Sequence, residues 1–315
     1  MPLPPLKDRF AALIAAPSVS CTQPAIDLSN RAVIDLLAGW LGDLGFACDI
    51  QQVSPGKFNV VATFGTGPGG LVLAGHSDTV PYDDALWETD PLKLTEVDGN
   101  WVGLGSCDMK GFFALAIEAL QPLLDQPFKQ PLIILATCDE ESSMAGAKAL
   151  AAAGGVLGRA AVIGEPTRLK PVRLHKGVMM ERIDILGRSG HSSDPSLGRS
   201  ALEAMYDAIG ELKGLRRQWQ EQYRNPQFSV PQPTLNFGCI HGGDNPNRIC
   251  GSARWSSTCA RCRAWTLKCC ATPSGRNCSP SPSCIRCRSI TRHCFRKCPR
   301  LKKVPTRNWS ESPSV

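Results

Sequence analysis

"LVLAGHSDTVP", residues 71–81, is an apolar run that stops at His76, Ser77 and Asp78. Short apolar runs bounded by Gly and polar residues read as buried strands. Two more runs end the same way. "PLIILATCDEE" (131–141) runs into Asp139, Glu140 and Glu141, and "AAVIGEPT" (160–167) runs into Glu165. A further acid, Asp108, stands where "GLGSCD" meets the helical pattern "MKGFFALAIEALQPLL". In open α/β sheets ligands bind at the carboxyl ends of strands. These strand ends therefore converge on one crevice that offers an imidazole and several carboxylates.

The surrounding pattern agrees with an α/β sheet layered by helices. "LSNRAVIDLLAGWLGDLGF" (28–46) has helical spacing and ends near a Gly. "FNVVATFG" (58–65) reads as a buried strand, and "LKLTEVDGNWVGLG" (92–105) as two strands around an Asp-Gly turn. Each site residue also has an ordinary explanation. Asp108 fits a helix N-cap, Glu140 and Glu141 fit solvated loop charges, and Glu165-Pro166 fits a turn. Those explanations do not account for their joint position. Crowded carboxylates repel one another unless a cation sits among them. His with carboxylates suits zinc or a similar first-row ion, and the surplus of acids points to two ions sharing a bridge.

"GHSDTVP", "GLGSCDMKGFFA", "ATCDEESSMAGAKAL", "IGEPTRLKPVRLHKG" and "GRSGHSSDPSLG" resemble, in order, the successive motifs of the dizinc metallo-deacylase/aminoacylase superfamily. The likeness runs from about residue 8 to Cys250. It implies a zinc-aminopeptidase-like catalytic domain with an inserted α+β lid and dimerisation domain. Residues 1–177 would be the catalytic part and 178–250 the start of the lid.

The resemblance also assigns roles. His76, Asp108 and Glu165 would hold one zinc, with Asp108 bridging to a second ion bound by Glu141. The resemblance implies that cobalt can stand in for zinc. Asp78 would steady the other ring nitrogen of His76, and a cis peptide is expected at Asp108–Met109. Glu140 would be the general base. His191, from the lid, would steady the oxyanion in the partner's site of a homodimer. His175 and His241 receive no role. The implied reaction is release of acetate from N2-acetyl-L-ornithine in arginine biosynthesis. Acetylcitrulline and succinyl-diaminopimelate are the alternative small-molecule substrates.

Composition changes sharply near Cys250. Residues 250–315 hold 14 Lys or Arg against the single acid Glu311, leaving 21 bases against 27 acids in the body. Ten of the 15 cysteines also lie there, while the other five are scattered as small hydrophobes are in a reducing compartment. Lys7, Asp8 and Arg9 interrupt the first apolar stretch, which argues against a signal peptide. No run approaches the roughly 18 apolar residues of a membrane span. A cytoplasmic protein that binds neither membrane nor nucleic acid is expected.

Two explanations compete for residues 251–315. A zinc or nucleic-acid module would use the C-x-x-C pairs Cys259/Cys262 and Cys284/Cys287, but the remaining cysteines follow no module spacing. The second is a lost reading frame. Written in GC-rich codons, "CGSARWSSTCARCRAWT" (250–266) becomes "CGQCALEFDLRPLPGMD" when one C is inserted after the second codon. A TGC cysteine codon then supplies the last two bases of NTG, which encodes Leu, Met or Val. The surplus cysteines are displaced core residues on this reading. It predicts that residues 251–315 form no stable structure, that the C-terminal part of the fold is lost, and that activity and dimerisation are impaired.

Overall fold

The computed structural model describes residues 3–261 apart from 156 and 173. Among these, two compact units form, residues 3–171 and 172–261.

The first unit is a five-stranded sheet between helical layers. Strand β1 (Ala47–Ser54) pairs antiparallel with β2 (Lys57–Phe64). Strands β3 (Leu71–His76), β6 (Leu132–Thr137) and β7 (Ala160–Ile163) are mutually parallel, and the sheet order is β1-β2-β6-β3-β7. The short hairpin β4 (Thr95–Val97) and β5 (Asn100–Val102) turns at Asp98 and Gly99, both with positive φ. That is the conformation for which Asp-Gly is suited.

Alternate residues of the central strands serve the two faces. Val60 and Ala62 of β2, with Leu132, Ile134 and Ala136 of β6, pack against α1 (Leu6–Ala15), α2 (Arg31–Asp43) and α3 (Lys110–Leu120). Val61, Val72 and Ile133 point the other way, with Leu150 of α4 (Ala145–Ala153) packed against them. A strand covered on both faces must be apolar throughout, as "LIILA" is.

The second unit is an α+β layer pair. The 22-residue helix α5 (Ala201–Gln222) begins at Ser200, whose hydroxyl accepts from the Glu203 amide. It buries Ala201, Met205, Ala208, Leu212, Leu215 and Trp219. These pack on a sheet ordered β8-β10-β9, made of β8 (Gly177–Leu186), β9 (Thr234–Gly242) and β10 (Ser252–Arg261).

Strand β10 corrects one expectation. Residues 252–261 were expected to have no stable structure, yet they pair along their length with both β8 and β9. Ala253, Trp255, Ser257 and Cys259 face inward in strict alternation. Period-two burial and two flanking strands are enough to order this segment, even with Ser and Cys at core positions. The rest of that expectation concerns 262–315, outside the described residues.

Candidate metal centre

The carboxyl ends of β3, β6 and β7 lie side by side, which brings their terminal residues together. His76 ends β3 and is 2% exposed. Its Nε2 lies 3.0 Å from Asp108 Oδ1 and 3.8 Å from Glu165 Oε1. Two sets of ligand atoms fall within 4.8 Å of one another: His76 with Asp108 and Glu165, and His76 with Glu140 and Glu141. Four of the predicted acids, Asp108, Glu140, Glu141 and Glu165, therefore meet around the His76 imidazole. His191 belongs to the second unit, where its Nδ1 lies 2.7 Å from Ser193 Oγ.

Asp108 does not cap α3. The N-cap is Met109 without a side-chain cap bond, and the Asp108–Met109 peptide is cis. The Asp108 side chain is left about half exposed beside His76. Two glycines make the close packing here feasible. A Cβ on Gly164 would lie 2.2 Å from the Phe112 ring, and one on Gly75 would lie 2.5 Å from Met109 Cε. A side chain at either position would force these neighbours to shift.

Asp78 differs in detail from expectation. The carbonyl of Asp78 lies 3.0 Å from His76 Nδ1, whereas its carboxylate is 3.8 Å away. That carboxylate instead accepts from the Glu140 amide on Oδ1 (3.2 Å) and the Glu141 amide on Oδ2 (3.1 Å). Asp78 thus orients the ring through its backbone and grips the Glu140–Glu141 turn through its side chain. Sequence reasoning could not separate these, because both uses put an Asp two residues after the His.

A carbonyl can only accept, so the bond at Nδ1 makes Nδ1 the donor of the neutral ring. In that neutral ring Nε2 carries the lone pair, on the side of Asp108 and Glu165, whereas in the charged ring both nitrogens donate. Burial raises the Glu141 carboxyl to about 7, and the charges of Asp108, Glu140 and Asp78 add to the rise against the lowering pull of His76. Glu165 is raised by burial and by the same three acids. Asp78 is raised by burial, with His76 and the two amides opposing. Burial lowers the His76 pKa, but Asp78, Glu140 and Glu165 outweigh it and raise it. Nitrogen and carboxylate donors that crowd one another in this way fit divalent first-row cations.

Comparison with known proteins identifies the lineage. Residues 72–273 match the profile of peptidase family M20/M25/M40. The chain belongs to this family. It is 54% identical over 254 residues to an acetylornithine deacetylase of Pectobacterium carotovorum, covering 80% of this chain and 66% of that one. It is 52% identical over 250 residues to an acetylornithine deacetylase of Photorhabdus laumondii, covering 79% and 65%. The chain thus spans just under two thirds of the length of these relatives. Among solved structures, the di-peptidase Dug1p of Saccharomyces cerevisiae superposes with a TM-score of 0.64 at 16% identity, covering 93% of this chain and 73% of that one. That likeness concerns the fold. The family is metal-dependent, and the cluster around His76 is a candidate site for the ion. No helix among the described residues is long and apolar enough to cross a membrane.

Sequence reasoning missed the residues that hold the acidic turn. Asn59 Oδ1 accepts from the Cys138 amide at 3.1 Å, and its Nδ2 donates to the Gly146 carbonyl at 3.0 Å. Lys57 Nζ lies 2.9 Å from Asp139 Oδ1 and 2.7 Å from Asp27 Oδ1. A Lys and an Asn at the start of the apolar run "KFNVVATF" were the available signal, since polar groups there must find partners.

Proposed function

We propose that the chain is the larger part of a cytoplasmic metallo-amidohydrolase that removes acetate from N2-acetyl-L-ornithine in arginine biosynthesis. The observation that carries this reading is the His76 ring nitrogen aimed at Asp108 and Glu165, with Glu140 and Glu141 closing the same cluster. The 54% identity to an acetylornithine deacetylase supports the substrate. His76, Asp108 and Glu165 would hold one zinc, and Asp108 and Glu141 would hold the second, with cobalt able to substitute. When bound, such ions polarise the acyl carbonyl and acidify the attacking water. Glu140 takes the proton from that water and returns it to the leaving amine. His191, from a lid domain beginning near residue 178, supplies a donor to the oxyanion across a homodimer.

A second reading is favoured by β10. Its four inward positions, 253, 255, 257 and 259, read Ala, Trp, Ser and Cys. In the frame shifted by one C they read Cys, Leu, Phe and Leu, and the outward positions become polar or small. The Trp255 indole nitrogen and the Ser257 hydroxyl are buried without a hydrogen-bond partner. Those are the faults expected where an apolar pair has been replaced. On this reading the chain as it stands is impaired, and a single inserted base restores it.

One experiment addresses both readings. Ornithine release from N2-acetyl-L-ornithine is measured for the chain and for its frame-restored form, with acetylcitrulline and succinyl-diaminopimelate as competitors. The restored form is expected to prefer acetylornithine. In it, Glu140→Gln should keep its zinc and lose roughly 10²–10⁴-fold in turnover, the usual worth of a general base. Loss of zinc in that variant would exchange the roles of Glu140 and Glu141. Sequencing the DNA across codons 250–253 without finding an extra C would remove the second reading.

A further inference from the structure

We propose that Lys57 is a positioning residue that sets the Glu140–Glu141 turn through Asp139. Strands β2 and β6 pair antiparallel from Phe64↔Leu132 to Val60↔Ala136. Continued three residues, the same register sets Lys57, the first residue of β2, against Asp139, just beyond the end of β6. Lys57 is only 6% exposed. Its three ammonium protons have three acceptors: Asp27 Oδ1 at 2.7 Å, the Leu28 carbonyl at 2.8 Å and Asp139 Oδ1 at 2.9 Å. Burial opposes the charge, but the bonds to Asp27 and Asp139 outweigh it and lift the Lys57 pKa above its ordinary value. The ammonium stays charged where it is needed.

Asp139 is the pivot of the turn. It is 8% exposed and adopts φ +55°, the left-handed region, which Asp enters more readily than most non-glycine residues and which its bonds hold here. Its Oδ1 also accepts from Ser20 Oγ at 2.8 Å. Its carbonyl accepts from the Ser143 and Met144 amides at 3.1 and 2.6 Å, closing the turn behind it. The next two amides go to Asp78. Consecutive residues are therefore gripped from two sides, 139 by Lys57 and Ser20 and 140–141 by Asp78. The acids on this turn face His76 only while residue 139 keeps its unusual backbone. Without the ammonium, Asp139 and Asp27 would remain as acids with no shared cation, and the turn would lose its reason to hold that shape.

The effect on metal rests on the proposed role of Glu141 as ligand, whereas the effect on the turn does not. Both are read in the full chain carrying Lys57→Met, with Asp27→Asn as the control that leaves the Asp139 pair in place. Hydrogen exchange at the amides of 140 and 141 should accelerate at least about tenfold in Lys57→Met while β6 keeps its protection, as for a local opening. Co2+ affinity, followed by visible absorption, should fall about 10- to 100-fold, the range for partners that orient metal ligands. Asp27→Asn should lower the melting temperature and leave the Co2+ spectrum unchanged. Should Lys57→Met not fold, Lys57→Gln and Ser20→Ala carry the same readouts. A variant that melts earlier yet keeps both the exchange rates at 140–141 and the Co2+ affinity overturns the inference and makes Lys57 structural only. If the unmodified chain binds no Co2+, the metal reading fails by itself, and the exchange rates still decide the role of Lys57.

Discussion

Strands β6 and β10 are both central in their sheets, and they reach that place by different means. Strand β6 lies between β2 and β3, is covered on both faces, and is apolar along its length. Strand β10 lies between β8 and β9, buries alternate residues, and carries Ser and Cys at two of the four inward positions. The first is specified by its own residues. The second is specified more by its neighbours, since it pairs with both β8 and β9 and buries its alternate residues against α5. A central strand therefore need not be a strong strand sequence, but the polar atoms it brings inside then lack partners, as at Trp255 and Ser257.

The largest expected effect breaks the comparison on the β6 side. Ile134 is fully buried against the helices. Ile134→Ala should destabilise the chain by about 2–5 kcal/mol, a lost side chain plus an unfilled cavity. Denaturant unfolding with separate probes of the two units measures it. The loss should fall on the transition of the first unit. An effect below about 1 kcal/mol would mean that β6, like β10, is held mainly by its neighbours.

What was legible follows the same division. The strand ends at His76, Glu141 and Glu165 could be read directly, because a continuous apolar run that stops at acids is a local signal. Helix α5 was equally visible in its spacing, Ala201, Met205, Ala208, Leu212, Leu215 and Trp219, and in the Ser200–Glu203 start. Strand β10 was misjudged because its composition is unlike a core strand and its partners lie up to 84 positions away, as in Arg261↔Gly177. The Lys57–Asp139 pair was out of reach for a related reason. It depends on the register of two strands separated by the whole of β3, β4, β5 and α3, and register cannot be read from either strand alone.

The next effect is smaller and opposite in sign. Trp255→Leu/Ser257→Phe exchanges a large and a small inward residue for two of intermediate size, and removes both orphaned polar atoms. Burying a polar group without a partner costs about 1–3 kcal/mol on mutational scales. Part of the gain is offset by imperfect repacking around Phe237, whose ring now lies 5.4 Å from that of Trp255. The double variant should therefore be more stable by roughly 1–2 kcal/mol, seen as a higher denaturant midpoint with an unchanged slope. A loss of stability would show that the pocket has adapted to Trp and Ser, and would count against the shifted-frame reading.

The smallest effect tests the outward face of β10. Arg254 Nε lies 2.6 Å from Asp184 Oδ1 on β8, and Arg182 Nε lies 2.7 Å from the other oxygen. The three side chains are partly exposed, at 56%, 31% and 33%. Water screens such pairs, and holding a long side chain in place costs entropy, so exposed ion pairs contribute about 0–1 kcal/mol. Asp184 also keeps Arg182 as partner when Arg254 is removed. Arg254→Ala should then cost no more than about 0.5 kcal/mol. Most of that difference should vanish in 1 M salt, where the screening length is about 3 Å. The shifted frame places Ala at this position, so near-neutrality is what the strand's outward face should tolerate. A cost above roughly 2 kcal/mol, unchanged by salt, would show that β10 is held through its outward ion pairs. The contrast with β6 would then rest on charge and not on packing.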